Sequence, residues 1–270
     1  MTKEGHPVSI LKLCKWFDVP RSTFYYQPQK NDTQKIDEPL TLKIREIIDK
    51  FPQYGLRRIV ALINREWHEK VNRKKIHRVI KLNHWQINRH KKGNRPRVLG
   101  SISRTKEPNM RWAIDTTHLF CGRDGWCHLT AIIDCCDRQI VGWRLSDRGV
   151  ADVAAAALED AVKSRSINMI HGLILRSDNG LVFGSKVFTS TARKYGLQQE
   201  YITPYTPEQN GMIERWFRSL KEECIWLQNI KNKDEAFGLI ASWIDHYHQG
   251  RPHSALGYLT PVQYGLKLAA

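Results

Sequence analysis

From Arg111 onward the chain alternates in a way that few architectures accommodate. Three short β-rich runs come in succession: Trp112 to Thr117, Trp126 to Asp134 and Ile140 to Leu145. Gly125 and the Asp137-Arg138-Gln139 segment separate them as turns, which reads as an antiparallel meander. An alanine-rich helix from about Asp152 to Ser164 follows. Then come a strand (Leu173 to Leu175), a helix (Ser185 to Tyr195), a strand (Leu197 to Tyr201) and a long helix from about Pro207 or Glu208 to Leu227. Three strands followed by alternating helix and strand indicate an α/β domain built on a mixed five-stranded sheet with flanking helices.

The front of the chain has no such texture. Residues 8–26 read as two short helices around Phe17-Asp18-Val19-Pro20, with Val8, Leu11 and Cys14 on an apolar face and Arg21, Ser22, Thr23, Tyr25 and Tyr26 on the second helix. That layout suits a helix-turn-helix segment, taken as 1–28, and equally an ordinary helical hairpin. The polar stretch 28–39, punctuated by Pro28 and Pro39, reads as a linker. A helical domain over 40–92 follows. Leu42, Ile44, Ile47 and Ile48 set one helical face; Pro52 to Gly55 breaks it; Leu56, Ile59, Val60 and Ile63 restart it beside Arg57 and Arg58. Asn72 is placed to cap a third helix with Ile76, Val79, Ile80 and Leu82 inward. Its other face carries Arg73, Lys74, Lys75, Arg78 and Lys81. Residues 93–108, with Gly93, Pro96, Gly100 and Pro108, read as a basic linker.

Charge divides the chain the same way. Of the net +16, residues 1–110 hold 25 Lys and Arg against 10 Asp and Glu, a surplus of +15, and the remainder is nearly neutral. The front therefore suits a polyanion, and DNA fits best because each neutralised phosphate releases a counterion. The basic third helix, continued by Arg89, Lys91, Lys92, Arg95 and Arg97, is expected on phosphates. An anionic membrane would call for a basic amphipathic helix with a wide apolar face, which is not evident. No run approaches the ~18 apolar residues of a membrane span, and the start lacks a signal-peptide pattern, so a cytoplasmic, nucleoid-associated protein is expected. Six cysteines without a C-x-x-C pair read as reduced thiols. Adjacent Cys135 and Cys136 read as core residues in an apolar strand. A zinc site from Cys121, Cys127 and His118 or His128 is irregularly spaced.

Three acids stand out by position. Asp115 lies inside the first strand, where a carboxylate is costly unless paired or metal-bound. Asp178 follows Leu173-Ile174-Leu175-Arg176-Ser177 at a strand end. Glu214 lies early on the long helix, with 35 residues between it and Asp178. On that helix Ile213, Phe217, Leu220, Cys224 and Leu227 form an inward stripe, and Glu214, Arg218 and Lys221 form a polar stripe beside it. Arg218 and Lys221 are thereby placed to hold a substrate phosphate. Three converging carboxylates would bind hard divalent cations, and two such ions roughly 3.5–4 Å apart can drive in-line phosphoryl displacement. Each acid has a plainer reading alone: Asp115 as partner of a core arginine, Asp178 as the cap of an Asp-Asn-Gly turn, Glu214 as a surface partner of Arg218. Asp134 and Asp137 read as turn residues.

The blocks Trp112-Ala113-Ile114-Asp115-Thr116-Thr117, Ser177-Asp178-Asn179-Gly180 and Thr203 to Arg215 resemble the catalytic blocks of DDE transposases and retroviral-type integrases. Lys221, seven after the glutamate, matches that family's basic position. Pro52 to Ile59, Arg251 to Gly257 and Thr260-Pro261 further resemble the second-frame transposase of the third bacterial insertion-sequence family, with Tyr247-His248 where Tyr-Asn is expected. The resemblance implies an RNase-H-like integrase catalytic core over 109–230 and a C-terminal helical tail over 231–270. It implies Asp115, Asp178 and Glu214 as catalytic metal ligands for two Mg²⁺ ions, with Mn²⁺ able to substitute. It also implies recognition of terminal inverted repeats, a nick at the element's end, and attack by the freed 3′-hydroxyl on target DNA. The partners implied are double-stranded DNA, further copies of the chain (at least a dimer) and an upstream-frame product. A DNA-binding regulator with a degenerate core is disfavoured by the intact acids, a glycosidase by the basic front; a purely hydrolytic nuclease shares the same residues.

Overall fold

The computed structural model of the chain describes residues 8–27, 37–67, 70–87, 105–166, 172–203 and 207–269. Arg89, Lys91, Lys92, Arg95, Arg97 and most of the expected 93–108 linker lie outside these residues. Met1–Thr41 and Leu42–Ala270 form two compact units. In the first, α1 (Ile10–Trp16) starts at Ser9, whose Oγ accepts from the Lys12 amide at 3.4 Å, and α2 (Arg21–Phe24) is a single turn after Pro20. Neither helix contains a fully buried residue, so the anticipated apolar face carries no core of its own.

The helix α3 (Glu38–Lys50) begins where a linker was expected, with Pro39 in its first turn, where a missing N–H costs nothing. Its inward side is Leu40, Ile44 and Ile47, with Ile48 half-buried beside them; of the expected face only Leu42 points out, at 68% exposed. Tyr54 and Gly55 lead into α4 (Leu56–Glu66), and Asn72 caps α5 (Arg73–Leu82) by accepting from the Lys74 amide at 2.8 Å. Ile59, Leu62, Ile63, Ile76, Val79 and Ile80 are all buried.

The sheet has the order β3-β2-β1-β4-β5. β1 (Arg111–Phe120), β2 (Trp126–Asp134) and β3 (Ile140–Ser146) are antiparallel; β4 (Ile174–Ser177) and β5 (Gln198–Tyr201) run parallel to β1. This is the mixed five-stranded sheet expected. Strand alternation assigns one face to each of two cores. Trp112, Ile114 and Ile132 pack with α6 (Ala151–Ser164), the short α7 (Leu181–Gly184) and α8 (Lys186–Lys194). Gly142 lets α6 lie directly on β3, since a Cβ there would collide with the Ala157 carbonyl oxygen. Ala113, Leu119, Leu129, Ala131 and Ile133 pack with α9 (Gly211–Glu223) and α10 (Lys233–Gln249).

Several expectations change here. The long helix is shorter than its pattern suggested: Pro207–Asn210 is a 3₁₀ turn, and Cys224 at φ −132° and ψ −69° ends α9 before a second 3₁₀ turn. Leu227 consequently leaves the inward stripe and is exposed. Cys135 and Cys136 lie in the turn after β2, buried there rather than within a strand. Tail residues Ala236, Ile240, Trp243, Ile244 and Tyr247 share the hydrophobic cluster of α9. The last helix, α11 (Pro261–Ala269), is opened by a reciprocal cap in which Thr260 and Gln263 each accept from the other's amide. Among the described residues no helix is long and apolar enough to cross a membrane.

Candidate active site

Asp115 is fixed by parity. Ala113 belongs to the α9 face of β1 and Trp112 and Ile114 to the other, so Asp115 and Thr117 turn toward α9. The parallel register pairs Ala113 with Arg176, and continuing it by two residues sets Asp115 beside Asp178 at the carboxyl end of β4. Glu214 stands in the first turn of α9.

The head of α9 is pinned to these strands. Asn210 is 2% exposed and its Nδ2 donates to the Ile114 carbonyl at 3.3 Å; its Oδ1 is buried without a hydrogen-bond partner. Buried Arg176 donates to the Gln209 carbonyl and to Glu200, each at 2.9 Å. The Gln209 amide group in turn holds Thr203. At the next turns of the helix, Lys221 Nζ donates to Thr117 Oγ1 at 2.7 Å. Gln209, Asn210, Arg176 and Thr117 had no individual role in the sequence reading. The signal available was that Thr117, Gln209 and Asn210 fall inside the blocks that carry the family resemblance.

Electrostatics shows that the three acids share one neighbourhood. Burial raises the Asp115 pKa most, the charges of Asp178 and Glu214 raise it further, and the Thr116 amide and Lys221 oppose them; the result is about 7. Burial also lowers Lys221, with Asp115 pulling the other way. Each aspartate has one oxygen engaged locally: Asp115 Oδ1 accepts from the Thr116 amide at 2.7 Å and Asp178 Oδ1 from the Gly180 amide at 2.9 Å. In each case Oδ2 accepts no hydrogen bond among the described residues. The donor set is all oxygen and all anionic, which fits a hard divalent cation. Yet no three His, Cys, Asp or Glu side chains among the described residues are gathered tightly enough to close around one ion. The repulsion that raises Asp115 also opposes closer approach of the three carboxylates. Nor do Cys121, Cys127 and a histidine form such a cluster among the described residues, and both thiols are buried in the α9-side core.

The residues expected on DNA divide into two groups. Arg21, Ser22 and Thr23 are exposed on α2, as are Arg57 on α4 and Arg73, Lys74, Lys75 and Arg78 on α5. Arg58 instead points inward and donates to Glu223 at 3.0 Å. Arg251 grips the same carboxylate through Nε and Nη2, both at 2.7 Å, and is 4% exposed. Two sequence blocks expected separately, Pro52 to Ile59 and Arg251 to Gly257, thus meet on one glutamate. Arg218 pairs with Glu222 at 2.6 Å rather than with Glu214. Asp134 and Asp137, read as turn residues, are fully buried and paired with Arg165, with Asp137 at 2.7 Å.

Known families match the chain along most of its length. Integrase core domain models match residues 105–207 and 195–261, and an HTH-like domain model matches 35–93. Transposase InsD for insertion element IS2A/D/F/H/I/K of Escherichia coli is 28% identical over 281 residues, spanning 96% of this chain and 91% of the relative. Transposase InsD for IS2 on the F plasmid of Escherichia coli (strain K12) is similar to the same extent. Among solved structures, a chain of a simian T-cell lymphotropic virus intasome aligns at 15% identity and TM-score 0.49, over 83% of this chain and 74% of its own. The BIV integrase catalytic core aligns at 19% identity and TM-score 0.45, over 60% and 96%. With two integrase core models together covering residues 105–261, the first over the sheet that holds Asp115 and Asp178 and the second over α9 with Glu214, and the HTH-like model on the helices before them, the chain belongs to the DDE transposase/integrase superfamily.

Proposed function

We propose that this protein is an insertion-sequence transposase that binds the terminal inverted repeats of its element, nicks the element's end and transfers the 3′-hydroxyl to a phosphodiester of target DNA. The observation that carries the reading is the convergence on Asp115: a half-buried strand carboxylate whose pKa is raised by desolvation and by both Asp178 and Glu214, with Lys221 opposing. Such a cluster is expensive unless a cation completes it.

Asp115, Asp178 and Glu214 would hold the divalent ions, Mg²⁺ or Mn²⁺, with Oδ2 of each aspartate available. When bound, the ions supply Lewis-acid stabilisation of attacking and leaving oxygens in an in-line displacement. The chain's own groups do the rest by position and charge. Lys221, braced by Thr117, presents an ammonium next to Asp115 for a phosphate oxygen. The bonds of Asn210 and Arg176 fix the first turn of α9 against β1 and β4, which sets where Glu214 meets the aspartates. The exposed cations Arg21 of α2 and Lys74, Lys75 and Arg78 of α5 would take the backbone of the repeat, fixing register without reading sequence. Assembly on paired DNA ends, and joint action with an upstream-frame product, belong to the same reading.

Incubating the purified protein with Mg²⁺ and a labelled fragment carrying its element's end, beside the Asp178→Asn variant, tests it. Nicked and joined products from the parent alone are expected. DNA binding by both proteins with cleavage by neither would remove the catalytic assignment.

A further inference from the structure

Beside the head of α9, α4, α5 and the residues after Arg251 enclose a cleft of about 660 Å³. Among the described residues six arginines line it and no carboxylate does. Two of them, Arg58 and Arg251, are held by Glu223. Arg57, Arg73 and Arg215 are exposed and make no ion pair among the described residues. The wall also carries flat rings: Trp85 just after α5, and Tyr258. Tyr258 is held at φ +66°, a left-handed backbone that a bulky residue adopts at a cost and that concentrates where a side chain must be aimed. Tyr258, Arg57 and Arg73 also line a second depression next to the first.

The contents follow from chemistry and size. Unopposed guanidinium groups call for phosphates, and aromatic faces among them call for bases, the combination by which proteins hold unpaired strands. The volume is that of a site for a ligand of small-molecule size, roughly 300–1,000 Å³, so it excludes a duplex. Met212 and Arg215, on either side of Glu214 in sequence, line the cleft. Arg215 lies about 100° around α9 from Glu214, so a strand leaving the cleft passes over the first turn of the catalytic helix. We propose that this cleft binds a short stretch of single-stranded DNA and leads it to the carboxylate triad. The inference rests on the transposase reading for its DNA, and adds that one strand must be unpaired at the site.

Binding of a labelled single-stranded oligonucleotide to the full chain, followed by fluorescence anisotropy in EDTA, tests it apart from catalysis. Tyr258→Gly relieves the left-handed strain and is expected to fold at least as well, while losing a stacking face and about tenfold in affinity. Arg57→Gln and Arg73→Gln are each expected to lower the slope of log affinity against log salt by about 0.7. A duplex of equal length should compete poorly for the portion of binding lost in Tyr258→Gly. The proposal is overturned if the parent does not bind the single strand, if the three variants bind it as the parent does, or if duplex displaces it equally well. A parent that nicks and joins DNA while these variants bind unchanged sinks the cleft alone. Variant-sensitive single-strand binding by a parent that never cuts sinks the transposase reading alone.

Discussion

Asp115 and Glu223 are both largely withdrawn from water, and their pKa values are shifted in opposite directions. Asp115 is driven up to about 7 by burial and by two neighbouring carboxylates. Burial pushes Glu223 up as well, but Arg251 and Arg58 outweigh it and bring the net value below the ordinary range. The difference is where the countercharge comes from. At Glu223 the fold supplies it in full, with a bidentate arginine 4% exposed, and the result is a joint between α4, α9 and the segment after α10. At Asp115 the fold sets only Lys221 and the Thr116 amide against burial and the charges of Asp178 and Glu214; on the proposed reading, divalent ions offset the rest. A buried acid is thus read as structural or functional by its surroundings rather than its burial.

The strongest way to break this contrast is to neutralise each acid isosterically. Asp115→Asn, Asp178→Asn or Glu214→Gln should abolish nicking and joining. Losing several kcal/mol of charge stabilisation corresponds to a drop on the order of 10³-fold. Asp115→Asn should nevertheless melt no lower than the parent, because it relieves repulsion. A variant retaining a tenth of parental activity would refute the assignment of that acid. Glu223→Ala should behave in reverse. It leaves two arginines without their buried partner, at a cost of about 3–5 kcal/mol, which urea unfolding would read; a loss under about 1 kcal/mol would show that the joint is dispensable.

A third buried group sharpens the rule because it is neutral. His248 Nε2 accepts from the Ile140 amide at 2.8 Å, and burial lowers its pKa from 6.5 to about 4. Between those values the unfolded chain binds the extra proton. The stabilisation is therefore complete above pH 6.5 and is lost as pH falls toward 4, on the order of 3 kcal/mol in total. Comparing urea midpoints at pH 7 and pH 5 for the parent and His248→Asn should show a shallower pH dependence in the variant; parallel slopes would remove His248 from the account. The smallest effect belongs to Arg218. Its pair with Glu222 is half exposed, so Arg218→Ala should change stability by less than about 1 kcal/mol. If Arg218 also contacts DNA, the change will appear as weaker, less salt-sensitive binding.

Much of this was legible in the sequence, for reasons that can be named. Period-two alternation and turn residues marked β2 and β3 to within a residue, while β1 runs three residues past its expected end; Asn72 marked the start of α5 because its side chain satisfies a free amide. The ranks of the acids along strand, strand end and helix were readable because parity and chain order are local properties. The end of α9 was not: Cys224 continues a helical pattern that the backbone abandons before the 3₁₀ turn at Ile225–Leu227. The fate of charges was equally hidden. Arg57 and Arg58 are adjacent and chemically alike, yet one faces the cleft and the other is committed to Glu223, 165 residues away.

By itself, then, the sequence determined the order of elements, the two-sided sheet, the basic front and the three spaced carboxylates, since each is written in spacing or composition over short stretches. Only the tertiary structure decided which arginines meet an acid and which remain for a ligand. It also decided that Asn210 and Arg176 lock the head of α9 to its strands, and that Tyr258 and Trp85 share one wall. Those outcomes depend on distances between residues far apart in the chain. A pairing energy that falls with separation and rises with burial has no expression until the chain has folded.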